Sequence, residues 1–286
     1  MAIDYNKLKN WPFKPVEHSY STNDTILYAL GLGVGADPLN AADLRFTFEE
    51  QPGFAALPFM AAVLGTPGFW VRDPESGIDW TKVLHGEQGI ELHAPIPTEG
   101  TLIAHNRVAE IIDKGADKGA LLYIEREISD KTTGQRIATT TSTTFARGDG
   151  GFGGPTGPLK PVHQLPDRSP DLSVDTPILP QAALIYRLSG DPNPLHASPE
   201  IAAKAGFKAP ILHGLCTFGV AGCAVLKTCC DNDPGRLRSF DLRFSSPVFP
   251  GETVTTEIWQ DGDIVSFRAR VADRTVLNNG IARITS

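Results

Sequence analysis

The sequence has no apolar run near the roughly 20 residues a membrane span needs. Its opening, MAIDYNKLKNWPF, lacks the basic cluster and apolar stretch of a secretory leader. Its closing ARITS differs from a Ser-Lys-Leu peroxisomal address. These absences predict a soluble, cytoplasmic protein with no membrane partner. Positive charge is also scarce: 26 Lys and Arg stand against 33 Asp and Glu, a net charge of −7. That balance excludes a general nucleic-acid binder, which carries a basic face. It leaves room for a phosphate-bearing ligand, because a few local cations suffice.

Cysteine is rare and confined. All four residues, Cys216, Cys223, Cys229 and Cys230, lie in one short stretch whose spacing fits no zinc pattern. Adjacent Cys229 and Cys230 are poorly placed to bridge each other, so reduced helix residues in a reducing compartment are expected. No Gly-Lys-Ser/Thr follows the glycines of GDGGFGGPTG, no G-x-S-x-G elbow occurs, and no His/Cys/Asp/Glu spacing marks a metal site. GLGVGADP (31–38) offers G-x-G-x-G, but it follows the helix-like DTILYAL and lacks βαβ surroundings. It therefore reads as a helix stop and turn, not as a dinucleotide loop.

What is present is an internal echo. HAPIPTEGTLIAHNRVAEIIDKG (93–115) is answered by SSPVFPGETVTTEIWQDGD (245–263), and LYALG (27–31) by IYRLSG (185–190). The offset is 152 from Pro95 to Pro247 and 158 from Tyr28 to Tyr186. A repeat of that size means a duplicated half, not a solenoid. Each half predicts a short helix at its tyrosine, an apolar helix (about 55–65 and 214–228) and four strands rich in β-branched residues. Local turns between the strands imply an antiparallel sheet curved around the apolar helix, an α+β architecture. The expected division is a first repeat over 1–147, a Gly/Pro-rich linker over 148–175, and a second repeat over 176–286.

The densest chemistry lies in YRLSGDPNPLH (186–196). Pro192 and Pro194 keep Asp191 and His196 from sharing a helix and stiffen the loop between them. Such a loop either turns the chain or holds an acid and a base over a substrate. A histidine moves a proton near neutral pH, and an aspartate can share a water with it. Ser198, Pro199 and Glu200 mark a helix start that runs to Gly206. His213-Gly214 then opens a long apolar helix whose first N–H groups are free to hold a developing oxyanion.

YRLSGDPNPLH followed by GFKAPILHGLCTFG closely resembles the hydratase motif of MaoC-like (R)-specific enoyl-CoA hydratases, the hydratase 2 group. LHGEQGIELHAPIPTEG (84–100), the DKG turn (113–115) and FDLRFSSPVFPGE (240–252) are similar to the same family, so the likeness covers nearly the whole chain. The resemblance implies a double hot-dog fold with one catalytic half. Counted from Tyr28 as from Tyr186, Gly33 and Pro38 stand where Asp191 and His196 do, so the first half lacks the pair.

By motif, the resemblance implies that Asp191 and His196 activate water, that Asn193 orients them or the water, and that Gly214 N–H holds the thioester oxygen. His85, Gly86, Lys114 and Phe244 are implied to contact the acyl-CoA, as are Pro192, Pro194 and Leu195 of the loop. FAALPFMAAVLGTPGF (54–69) is expected to border the acyl pocket. The implied reaction is reversible addition of water to a trans-2-enoyl-CoA, giving a (3R)-3-hydroxyacyl-CoA, by a homodimer with no metal or separate cofactor. A thioesterase on the same fold, or a non-catalytic acyl-CoA-binding subunit, remain alternatives.

Overall fold

The computed structural model describes residues 3–158 and 161–285. Residues 159–160 of the expected linker lie outside them. In the first half the strands are β1 (Val16–Tyr20), β2 (Val83–Leu92), β3 (Gly100–Asp113), β4 (Ala120–Asp130) and β5 (Arg136–Ala146). In the second they are β6 (Leu172–Pro177), β7 (Leu237–Phe244), β8 (Thr253–Asp261), β9 (Ile264–Val271) and β10 (Arg274–Ile284). The helices are α1 (Tyr5–Lys9), α2 (Thr22–Gly31), α3 (Leu44–Thr47), α4 (Ala182–Tyr186), α5 (Pro199–Lys204) and α6 (Gly214–Cys229). Strand β6 begins inside the stretch whose glycines and prolines mark a linker.

Topology carries the duplication that the sequence echo announces. All ten strands form one antiparallel sheet in the order β1-β3-β4-β5-β2-β7-β10-β9-β8-β6. Read outward from the centre, each half runs through the same sequence of strands, β2 matching β7 and β1 matching β6. The joint between halves pairs Glu87 with Arg243 and Glu91 with Ser239, and Arg243 reaches Glu87 at 2.7 Å. Two curled sheets fused edge to edge, with packed segments on the concave side, make the double hot-dog fold.

The Thr-rich run RIATTTSTTFA forms β5, as its β-branched content requires. In β4 the residues alternate, so Ala120, Leu122, Ile124, Arg126 and Ile128 share the buried face. The exception in that row, Arg126, explains a difference from the sequence reading. The expected apolar helix of the first half does not form; residues Pro58–Ala62 make only a 3-10 turn. Pro58 starts it, and Gly65, in the left-handed region at φ +63°, closes the stretch. Gly65 N–H bonds to His18 Nδ1 at 3.3 Å instead of continuing a helix. Arg126 meanwhile donates to the carbonyls of Ala62 (3.3 Å) and Leu64 (2.5 Å). Burial pulls this guanidinium's pKa down to about 10.

In the second half the expected helix is present as α6, apolar on nearly every face and packed against β6–β10. Cys216, Cys223 and Cys229 lie along it, and all four cysteines are free. The core around α6 is aromatic: Phe240 stacks on Phe267 at 4.5 Å and meets Phe59 at 5.1 Å and Phe218 at 5.0 Å. Tyr28 and Tyr186, matched positions of the two halves, touch at 5.8 Å and are fully buried.

The approach of α6 to the first half depends on Gly222. A Cβ there would stand 2.4 Å from Cε1 of Phe59, whose ring is locked between Phe218 and Phe240. Alanine adds about 1 kcal/mol of helix propensity, while overpacking a filled core costs about 1–3 kcal/mol. Gly222→Ala is therefore expected to lower the melting temperature. An unchanged or raised value in a thermal scan would show that the Phe59 ring can yield.

Candidate active site

The loop after α4 is shaped by its own side chains. Gly190 sits at φ +110°, outside the range of other residues. Asp191 Oδ1 accepts from Asn193 N–H at 3.1 Å, and Asn193 Oδ1 accepts from Leu195 N–H at 3.1 Å. Pro194 follows at the first position of the 3-10 turn Pro194–His196. Two linked Asx turns and two prolines thus fix where Asp191 and His196 stand. Asn193 spends its carbonyl oxygen on this turn, where it shapes the loop. Pro192, Asn193 and Pro194 are exposed along it, and Leu195 is half-buried.

His196 is buried beneath the loop, at 8% exposure. Its Nδ1 lies 2.9 Å from the carbonyl of Ile211. A carbonyl can only accept, so Nδ1 carries the proton and Nε2 keeps its lone pair. Burial lowers the pKa of this ring, outweighing the Ile211 bond and the Asp191 charge that raise it. The imidazole is therefore neutral at pH 7, ready to take a proton at Nε2.

A third group completes the site, and the sequence reading did not single it out. After α5 the chain runs back to His213, anchored where Leu212 N–H meets Val248 carbonyl at 2.7 Å. His213 Nε2 lies 3.1 Å from the backbone carbonyl of Asp191 and so donates to it. Its ring stacks on His196, with centroids 3.7 Å apart and planes at 27°. Burial, followed by the His196 charge, holds its pKa down to about 4. The two histidines are seventeen positions apart in sequence, and no spacing rule signals their stacking. Asp191, His196 and His213 each offer one potential ligand atom, all within 4.8 Å of one another. A divalent cation held there would occupy the groups that must stay free to move a proton.

Gly214 follows as the first residue of α6, exposed, and its N–H has no acceptor among the described residues. It lies against Phe244, the last residue of β7, whose Cε1 would stand 3.3 Å from a Cβ on Gly214. His85 packs on the same Phe244 at 4.7 Å, with Gly86 beside it on β2. The structure thus brings together Asp191, Asn193, His196, Gly214, Phe244, His85 and Gly86. Lys114 stands apart, exposed on the turn between β3 and β4. Register still sets it at the same end of the sheet, through Asp113↔Ala120, Ala120↔Ala146 and Val83↔Ala146. Three strand spacings make about 14 Å, a span an extended nucleotide thioester can bridge. In the first half Gly33 and Pro38 offer no acid or base.

Comparison with known proteins places this geometry. The MaoC like domain family matches residues 161–280, and the MFE-2 hydratase 2 N-terminal domain family matches residues 18–148. The fold is thus that of the MaoC-like class. The probable enoyl-CoA hydratase 2 of Dictyostelium discoideum is 40% identical over 295 residues, covering 99% of this chain and 97% of that protein. A MaoC-like dehydratase from Phytophthora capsici has a TM-score of 0.86 at 36% identity, covering 98% of each chain. Full-length peroxisomal multifunctional enzyme type 2 of Drosophila melanogaster has a TM-score of 0.81 at 36% identity, over 95% of this chain and 48% of that one. The chain belongs to the MaoC-like enoyl-CoA hydratase 2 family.

Proposed function

We infer that the protein is an (R)-specific enoyl-CoA hydratase, a hydro-lyase that reversibly adds water to trans-2-enoyl-CoA. The observation that carries this is the neutral His196 beside Asp191, its ring stacked at 3.7 Å on His213, the residue that precedes the free N-terminus of α6. In our reading the thioester carbonyl accepts from Gly214 N–H, which draws electron density from C3. Water between Asp191 and His196 gives up a proton as its oxygen bonds to C3, and C2 receives a proton. Atoms and charge balance without a redox partner, so the reaction calls for no separate cofactor. Coenzyme A arrives as part of the substrate.

The acyl chain has a place to lie. A cleft of about 140 Å³ opens beside Leu188, Ser189 and Gly190, the residues immediately before Asp191. Tyr20, Leu27, Met60, Val63 and Leu64 supply its apolar wall, and His18, Ser19 and Asp24 complete it. Much of that wall comes from the stretch where the first half forms a 3-10 turn in place of a helix. Each buried methylene contributes up to about 0.8 kcal/mol, so the cleft favours chains long enough to fill it. At the other end His85, Gly86 and Phe244 line the approach, with Pro192, Pro194 and Leu195 along the loop. Lys114 meets the phosphates.

The reading includes a homodimer, for which edge strands β1 and β6 offer unpaired backbone. It also includes a cytoplasmic location, supported by four free cysteines; among the described residues no helix is long and apolar enough to cross a membrane. Trans-2-enoyl-CoAs of graded length test the activity, through loss of enoyl-thioester absorbance and chiral analysis of the product. The expected product is (3R)-3-hydroxyacyl-CoA with kcat/KM rising along the series. Release of free thiol, or an (S) product, would overturn the reading.

A further inference from the structure

We propose that His213 is a positioning residue for the hydration: its imidazole fixes both the Asp191 end of the catalytic loop and the ring plane of His196. The inference rests on reading Asp191 and His196 as the reacting pair. Its starting point is a mismatch between residue and position. His213 is the N-cap of α6, a place where Ser, Thr, Asp or Asn normally bonds the free N–H groups of the first turn. Its side chain makes no such bond. The ring is 99% buried, and its Nδ1 has no hydrogen-bond partner among the described residues. Neither helix capping nor polar satisfaction accounts for an imidazole there. Its contacts with the site do.

Those contacts act on two different groups. Nε2–H donates to the Asp191 carbonyl at 3.1 Å, holding the loop backbone at the residue that carries the carboxylate. The ring face meets His196 at 3.7 Å, which prevents that imidazole from rotating about its bond to the Ile211 carbonyl. Behind it, His213 lies 5.1 Å from Tyr186, and Tyr186 lies 5.8 Å from Tyr28. The catalytic ring is thereby referenced to the junction of the two halves. Being one residue before Gly214, His213 also links the base to the oxyanion donor through a single peptide unit.

The stack affects protonation as well as geometry. The charged and titratable groups acting on His213 are His196, Asp191 and Arg187, with Tyr186 at its edge; Asp191 acts on His196. A neutral ring against His196 excludes water from one face and thereby keeps the base unprotonated. A residue holding its place by geometry alone would leave the acid limb of the pH profile unmoved.

Two substitutions separate the effects. His213→Phe preserves an aromatic face against His196 but removes the donor to Asp191. His213→Gln preserves a donor of similar reach but removes the stacked ring. Both are assayed for kcat, KM, the pH profile of kcat/KM and melting temperature, with His196→Ala alongside. The Phe variant is expected to lose up to about 10²-fold in kcat, the scale of a roughly 1 Å misplacement, with KM within a few-fold and the acid limb unmoved. The Gln variant is expected to keep more of kcat while its acid limb moves to higher pH. Wild-type kcat and an unmoved limb in both variants would overturn the proposal, as would losses that disappear when each is assayed well below its melting temperature. An active His196→Ala would instead overturn the reacting pair itself.

Discussion

His196→Ala is expected to lower kcat by about 10³-fold, within the range for a positioned base, and to leave KM within a few-fold of its original value. Asp191→Asn is expected to have a similar effect. The two differ in what they preserve. An asparagine at 191 keeps an oxygen to accept from Asn193 N–H, so the Asx turn and loop persist while the charge is lost. An alanine at 196 removes the Nδ1 bond to Ile211 and uncovers one face of His213. Near wild-type turnover in either variant would show that the pair is wrongly assigned. The intact protein should also show an acid limb in kcat/KM. Burial depresses the pKa of His196, so Nε2 stays unprotonated at neutral pH and takes a proton only below the ordinary histidine range. Activity is thus retained at pH 7 and lost as pH falls further, with the inflection below about 6.5.

How much of this could be read before the structure depends on the range over which each signal acts. Strands β2–β5 and β7–β10 follow from β-branched runs between Gly- and Asp-bearing turns, because alternation and turn chemistry are local properties. The duplication was legible because Pro95 and Pro247 keep their places within the repeat, and the strand order reproduces it. Helix α6 follows from its unbroken apolar composition. The apolar stretch at 55–65 shows where that logic stops. Its composition is as helical as that of α6, but Arg126 and His18 take the backbone groups that a longer helix would have used. Those partners arrive from β4 and β1, out of reach of any local pattern.

The site divides along the same line. Asp191 and His196 share one loop, so their proximity was readable from two prolines and a short spacing. His213 was legible as the start of a helix, but its stacking on His196 depends on how the chain after α5 runs back and is anchored by Leu212 on Val248. Phe244 and His85 were placed by family likeness alone. Their contact with each other and with Gly214 arises because β7 and β2 pair at the joint between halves.

That joint sets up the second large expected effect. Gly214→Pro should reduce kcat by about 10²–10³-fold, the usual effect of losing one oxyanion donor. Proline is the informative replacement because the backbone already suits it. Gly214 is the first residue of α6, where proline is tolerated and no intrahelical N–H bond is lost. His213, at φ −60° and ψ 137°, already has the extended conformation that a residue before proline adopts. The helix should therefore remain, as circular dichroism can check, while the N–H disappears. Added bulk has its own cost, since a Cβ at this position would lie 3.3 Å from the Phe244 ring. Gly214→Ala isolates that cost, because it adds the Cβ and keeps the donor. A large loss in the proline variant with a small one in alanine assigns the oxyanion to this N–H. Equal losses would assign the effect to crowding against Phe244, and an active proline variant would mean that the thioester oxygen is held elsewhere.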